Sequence, residues 1–229
     1  MSLADEIRLL RDRALADLRG VHDYYADTKI AWDIVHEYIA DGKTLAVKNV
    51  VTGTVTRETD LAGKAQSYMT QHLRATFQQF ISIFEDFLFG FLRLWLREHP
   101  QSLSAKKVAF GAILKAADKD AITLHVIDKQ LNETRYERPA AWFAYLESLV
   151  NLSCPTADEI GRIAEAKASR DFLEHNAGVA NKVYESKAGA LARYKDGQGI
   201  DIPEPYHPQT WELICKVVTD LSNAGIAKA

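Results

Sequence analysis

The chain has 229 residues, 47% of them hydrophobic, which is enough to bury one sizeable core. A formal charge of −3 leaves no basic excess of the kind a broad nucleic-acid surface needs, so any contact with nucleic acid has to come from a local site. Cys154 and Cys215 stand far apart with no CxxC, and no signal-peptide core or membrane-length apolar run is present, so a reduced, cytoplasmic protein without a membrane span is the expectation.

Leu3, Ile7, Leu10, Ala14 and Leu18 recur at helical spacing. The pattern resumes after Gly20 with Val21, Tyr24, Tyr25, Trp32, Val35 and Ile39, and stops at the turn signal Asp41-Gly42. Whether Gly20 breaks this helix is open at the level of sequence. From Thr44 to Arg57 the chemistry changes: Leu45, Val47, Val50, Val51, Val55 and four threonines favour extended structure, and Thr52-Gly53 can carry a hairpin turn. A small β insertion at about 44–57 in an otherwise mainly α chain is expected.

The strongest helical stripe runs from about Lys64 to Glu98 through Leu73, Phe77, Phe80, Ile81, Phe84, Phe87, Leu88, Phe91, Leu92 and Trp95. Ile83, Phe89, Leu94 and Leu96 add apolar groups on other faces, as suits a central helix or one that also meets a partner. Pro100 ends it. Further helices are expected over Ser104–Ala117, Asp118–Thr134 and Pro139–Val150. Thr156 and Glu159 have the spacing of a capping box, opening a helix that continues through Ile160, Ile163, Lys167 and Asp171 to a stop at Asn176-Ala177-Gly178. A loop containing Lys195–Gly199 and Pro203–Pro205 precedes a last helix, Pro208–Ala224. One helical domain spanning 1–229 is the simplest account.

Several chemistries lack their residues. His36-Glu37 begins like a zinc-protease helix, but Ala40 stands where the second histidine is needed. Gly42-Lys43-Thr44 resembles the end of a phosphate loop whose first glycine would fall on Glu37. No other pair among the seven histidines has ligand spacing with cysteine or carboxylate neighbours, so no metal is expected, and with no GxGxxG or GxSxG neither a nucleotide-cofactor nor an esterase reading has support.

One segment carries a signal: Ser169-Arg170-Asp171-Phe172-Leu173-Glu174-His175-Asn176-Ala177-Gly178. The order Arg, polar residue, three further residues, His, followed by Asn-x-Gly at a helix end, resembles the active motif of the HEPN ribonuclease superfamily. Phe84-Glu85-Asp86-Phe87-Leu88 is similar to that family's earlier core helix, and Tyr184 stands where many members carry an aromatic. The resemblance spans roughly Lys64 to Tyr184, with its specific part confined to about ten residues. It departs from the pattern at Asp171, where asparagine is common.

The resemblance implies a HEPN-like helical bundle and a metal-independent endoribonuclease. Arg170 and His175 would be catalytic, with Asp171, Asn176, Glu85 and Tyr184 in support. The residue types suit the reaction. A histidine can move the 2′-hydroxyl proton near neutral pH, and arginine offers a permanently charged fork matched to phosphate oxygens. A 2′-hydroxyl nucleophile restricts the substrate to RNA. Asp171 lies four residues before His175, on one helix face, and is placed to hold the imidazole. Transfer needs an acid and a base, and the motif supplies one histidine. The resemblance implies a homodimer that lines one cleft with two motifs, and an antitoxin protein as a further partner in a defence or toxin–antitoxin setting. The apolar excess on the 73–95 helix is compatible with such pairing.

The same residues have plainer readings. Arg170 and Glu174 are also four apart and can form a surface ion pair, and Asn176–Gly178 can be only a cap. A non-catalytic RNA-binding or protein-interaction module on the same scaffold is the alternative function.

Overall fold

The computed structural model describes residues 1–44 and 46–229, and the side chains among them other than those of Val47, Glu58 and Thr59. Leu45, counted in the expected β insertion, lies outside the described residues.

The first helix, α1 (Leu3–Ala40), begins at the Ser2 cap and runs unbroken through Gly20. A glycine inside a helix costs about 1 kcal/mol. Val21 and Tyr25, packed against the core just beyond it, keep the helix docked. Two three-residue strands follow, β1 (Ala46–Lys48) and β2 (Val55–Arg57), paired antiparallel with Ala46 opposite Arg57. Between them the Asn49 carboxamide oxygen accepts from the N–H groups of Val51 and Thr52. Gly53 takes the left-handed conformation, φ +69°, at the expected turn.

The long helix α2 (Glu58–Glu98) packs against α1 and the last helix, α8 (Tyr206–Ile226). It also packs against α4 (Lys119–Arg135) and α6 (Ala157–His175). Its central position explains the breadth of its apolar pattern: Phe77, Phe80, Phe84, Phe87, Leu88, Phe91 and Leu92 are all sealed inside the chain, and so are Phe89 and Leu96 on other faces. The excess that suggested a pairing surface is therefore used up internally, and this stripe is not available to a second copy. Each such buried side chain contributes roughly 1.5–3 kcal/mol. The α8 backbone approaches so closely that a Cβ on Gly225 would lie 2.5 Å from Phe91 Cζ, which is why glycine stands there.

Beyond Leu18 on α1 and before Leu73 on α2, Ala65 is the one buried residue among those described, so the paired ends of these helices extend from the core with the hairpin at their tip. The expected helix over 104–117 is only α3 (Phe110–Lys115), preceded by a short 3-10 turn at Pro100–Leu103. None of its residues is buried, so no apolar face docks to extend it. The fifth helix, α5 (Pro139–Val150), and the Thr156–Glu159 capping box match expectation. A short helix, α7 (Lys182–Ala188), was not foreseen. Among the described residues no helix is long and apolar enough to cross a membrane.

Candidate active site on helix α6

Helix α6 presents three kinds of surface. Ile163, Ala166, Ser169 and Phe172 are buried and dock it. Lys167, Arg170 and Asp171 are half-buried, and Glu174 and His175 reach solvent at its end. The helix closes as expected: the Gly178 N–H donates to the Phe172 carbonyl at 2.9 Å with φ +71° at Gly178, and the Asn176 side-chain amide donates to the Val179 carbonyl. Asn176 thus acts as a cap and as an anchor for the following chain.

Arg170 is held on three sides. Its Nη2 donates to Ser82 Oγ of α2 at 3.3 Å, its Nη1 donates to Asp171 Oδ1 at 3.2 Å, and its Nε lies 3.3 Å from Glu174 Oε2. His175 Nε2 lies 3.7 Å from the same Glu174 oxygen, and the imidazole is 70% exposed. The guanidinium and the imidazole therefore flank one carboxylate at a solvent-facing edge.

Asp171 does not hold His175, contrary to expectation. Its carboxylate faces the other way, accepting from Lys167 Nζ at 3.1 Å and meeting Lys187 Nζ of α7 at 3.5 Å. Three cations compete for it, and the imidazole is not among them. Burial pushes the Asp171 carboxyl up, but Lys167, Arg170 and Lys187 together outweigh that and hold it below the usual carboxylate value. Glu85 reaches the cluster from α2, with Oε1 2.9 Å from Lys167 Nζ. Lys167 also lies over the Trp142 ring, 5.5 Å from its centroid. The structure thus joins Glu85, Lys167, Asp171 and Arg170 in one chain of charges, with His175 at its outer end through Glu174.

Tyr184 stands apart from that edge. It is fully buried, its ring against Phe172, and its hydroxyl donates to Glu165 at 2.8 Å. Burial pushes its pKa up to about 12. Glu165, itself only 2% exposed, also accepts from Ser169 at 2.7 Å, from Arg193 Nε at 2.9 Å and from the Tyr206 hydroxyl. Arg193 in turn lies 3.7 Å over the Tyr206 ring. A buried carboxylate supplied with four donors is a structural anchor, pinning the segment after α7 to α6. Sequence reasoning missed it, because the partners come from Ser169, Tyr184, Arg193 and Tyr206.

Among the described residues no group of three His, Cys, Asp or Glu is arranged to hold a metal. A pocket of about 380 Å³ lies between the outer parts of α1 and α2 and residues 201–204, where Lys29 pairs with Glu204, and includes none of the motif residues. A smaller one, about 160 Å³, adjoins Asp171 and is lined by Arg135, Tyr136, Arg138, Lys167 and Lys187.

No protein-family model matches the chain, and comparison with curated proteins and with solved structures finds no significant match.

Proposed function

We propose that the chain is a metal-independent endoribonuclease of the HEPN type. The observation that supports it is the shared position of Glu174 Oε2, 3.3 Å from Arg170 and 3.7 Å from His175 at an exposed edge. An anionic oxygen already sits between a phosphate-binding fork and a proton-transfer group. Displacing that carboxylate with a phosphate oxygen would give Arg170 the role of neutralising the scissile phosphate, and His175 that of acid or base. The complementary proton-transfer group comes from a second copy, so the active form in this reading is a homodimer in the cytoplasm. A defence or toxin–antitoxin setting with an antitoxin partner belongs to the same reading.

The test is incubation of the purified chain with RNA in excess chelator. Fragments should end in a cyclic phosphate, and His175→Ala should cut at least about 100-fold more slowly. Equal cleavage by parent and variant would remove His175 from the mechanism, and a strictly monomeric active protein at micromolar concentration would remove the dimer.

A second reading has its own observation. Arg170 is already engaged by Ser82, Asp171 and Glu174, as suits a fixed structural arginine. A non-catalytic RNA-binding or protein-interaction module on this scaffold predicts binding without fragments in the same assay.

A further inference from the structure

The pocket beside Asp171 has an unbalanced lining. It gathers Arg135, Arg138, Lys167 and Lys187 around two carboxylates, Asp171 and Glu137. Among the described residues Lys167 is answered by Glu85 and Asp171, and Lys187 by Asp171 alone. The two arginines are positioned without being neutralised. Arg138 donates to the Ser186 carbonyl at 3.1 Å and to its hydroxyl at 3.0 Å, while Arg135 lies over the Phe89 ring, 4.7 Å from its centroid. Among the described residues neither has a carboxylate within 4 Å. Both arginines are exposed, so their charges face solvent at the hollow and are open to an anion.

The hollow is also small and has an aromatic at its rim. Its volume of about 160 Å³ is close to the roughly 150 Å³ of a cavity that holds one benzene, room for a phosphate group but not for a nucleotide. A base attached to that phosphate has to lie outside. There stands Tyr136, 94% exposed in the turn between α4 and α5, with no packing role to explain it. A cationic hollow with a free aromatic face beside it is the arrangement single-stranded nucleic acid uses, phosphate below and base stacked above.

We infer that this pocket is a nucleotide subsite for single-stranded RNA, in which Arg135, Arg138 and Lys187 hold a backbone phosphate and Tyr136 stacks the attached base. It rests on the reading of the Arg170–His175 edge as an RNA site, and it deepens that reading. Asp171 forms one wall of the hollow and bonds Arg170, so a strand seated here continues toward the proposed scissile position.

The test separates the subsite from the chemistry. His175→Ala protein is titrated in chelator with a fluorescently labelled single-stranded oligoribonucleotide, alone and with Arg138→Glu, Tyr136→Ala or the exposed control Lys129→Glu added. Arg138→Glu should weaken binding at least about ten-fold and lower the salt dependence by about one counterion. Tyr136→Ala should weaken it about ten-fold, the scale of one lost stack. That side chain touches too little for its loss to unfold the protein, so the result is readable even if Arg138→Glu is unstable. Lys129→Glu should change binding less than about two-fold. No binding by the His175→Ala protein, or unchanged binding by both pocket variants, overturns the subsite. If the pocket variants weaken binding while the parent never cuts RNA, the subsite stands and the nuclease reading falls. If the parent cuts, and Arg138→Glu and Tyr136→Ala placed singly in the parent keep its KM, the reverse holds.

Discussion

Arg170 and His175 meet across a single oxygen: Glu174 Oε2 lies between the guanidinium and the imidazole, 3.3 Å from one and 3.7 Å from the other. This carboxylate occupies the position the nuclease reading reserves for a phosphate, and it repels one. Glu174→Gln should therefore raise RNA affinity and cleavage several-fold at low salt, with the gain shrinking as salt screens the charge. Glu174 is close to half exposed, so its loss should change stability by less than about 0.5 kcal/mol. Measured KM and kcat decide the matter: if Glu174→Gln cuts more slowly than the parent, the carboxylate orients His175 instead of competing with substrate.

Asp171 ties three cations, so its removal should be felt in stability before activity. Asp171→Asn leaves Lys167, Arg170 and Lys187 short of counter-charge and should cost roughly 2 kcal/mol. Its folded-state pKa lies below the ordinary value. The stabilisation is therefore full above the unfolded pKa of about 3.9 and is lost as pH falls through the lower folded value. Urea melts at pH 5 and pH 3 should show the parent losing more stability than Asp171→Asn. Parallel losses would mean that the three cations contribute nothing through Asp171.

What could be read ahead of the structure follows the range of the interactions involved. The α5 helix, the Thr156–Glu159 box and the α2 stripe are set by residues within a few positions of one another, and periodicity exposes them. The short α7 carried a readable Asn181 cap, which accepts from Val183 and Tyr184, but seven residues hold too few apolar repeats to register. The surroundings of the motif were out of reach for a different reason. Spacing puts Asp171 and His175 on one face, but Lys187 enters from another helix and Lys167 shares that face, so the carboxylate turns away from the imidazole. Arg135 and Arg138 stand three apart in the chain, but Lys187 joins them from α7, and no local pattern marks that meeting.

The Glu165 anchor makes an asymmetric prediction. Removing Arg193 leaves a buried carboxylate short of its counter-ion, so Arg193→Ala should destabilise by about 3–5 kcal/mol. Glu165→Gln keeps most of the shape and removes the charge from the interior. It should cost less on its own, and it should recover much of the loss when added to Arg193→Ala. Denaturant melts of the two single variants and the double variant close the cycle. Additive losses would show that Arg193 and Glu165 are not coupled.

His207 should set the stability of the protein between pH 4 and 6.5. The ring is fully buried at the start of α8, with Nε2 2.9 Å from Thr76 Oγ1 of α2. Thr76 directs its hydroxyl to the His72 carbonyl at 2.9 Å, which leaves its oxygen to accept from His207 and fits a neutral imidazole protonated at Nε2. Tyr25 and Phe80 cover the ring, with centroids 4.4 Å and 4.7 Å away. Burial, then the charges of His22 and His72, push its pKa down to about 4. In the unfolded chain the group takes its proton near 6.5. The unfolded state thus binds the extra proton first as pH falls: the contribution is full above about 6.5, declines through the interval and is gone below about 4. The total is on the order of 3 kcal/mol, and the window lies above the one set by Asp171, so the two effects separate. Urea midpoints at pH 7 and pH 4.5 should differ clearly for the parent. In His207→Gln, which can still donate to Thr76, the difference should shrink by most of that amount. If parent and variant lose stability in parallel across the interval, protons taken up elsewhere govern it and His207 is a spectator.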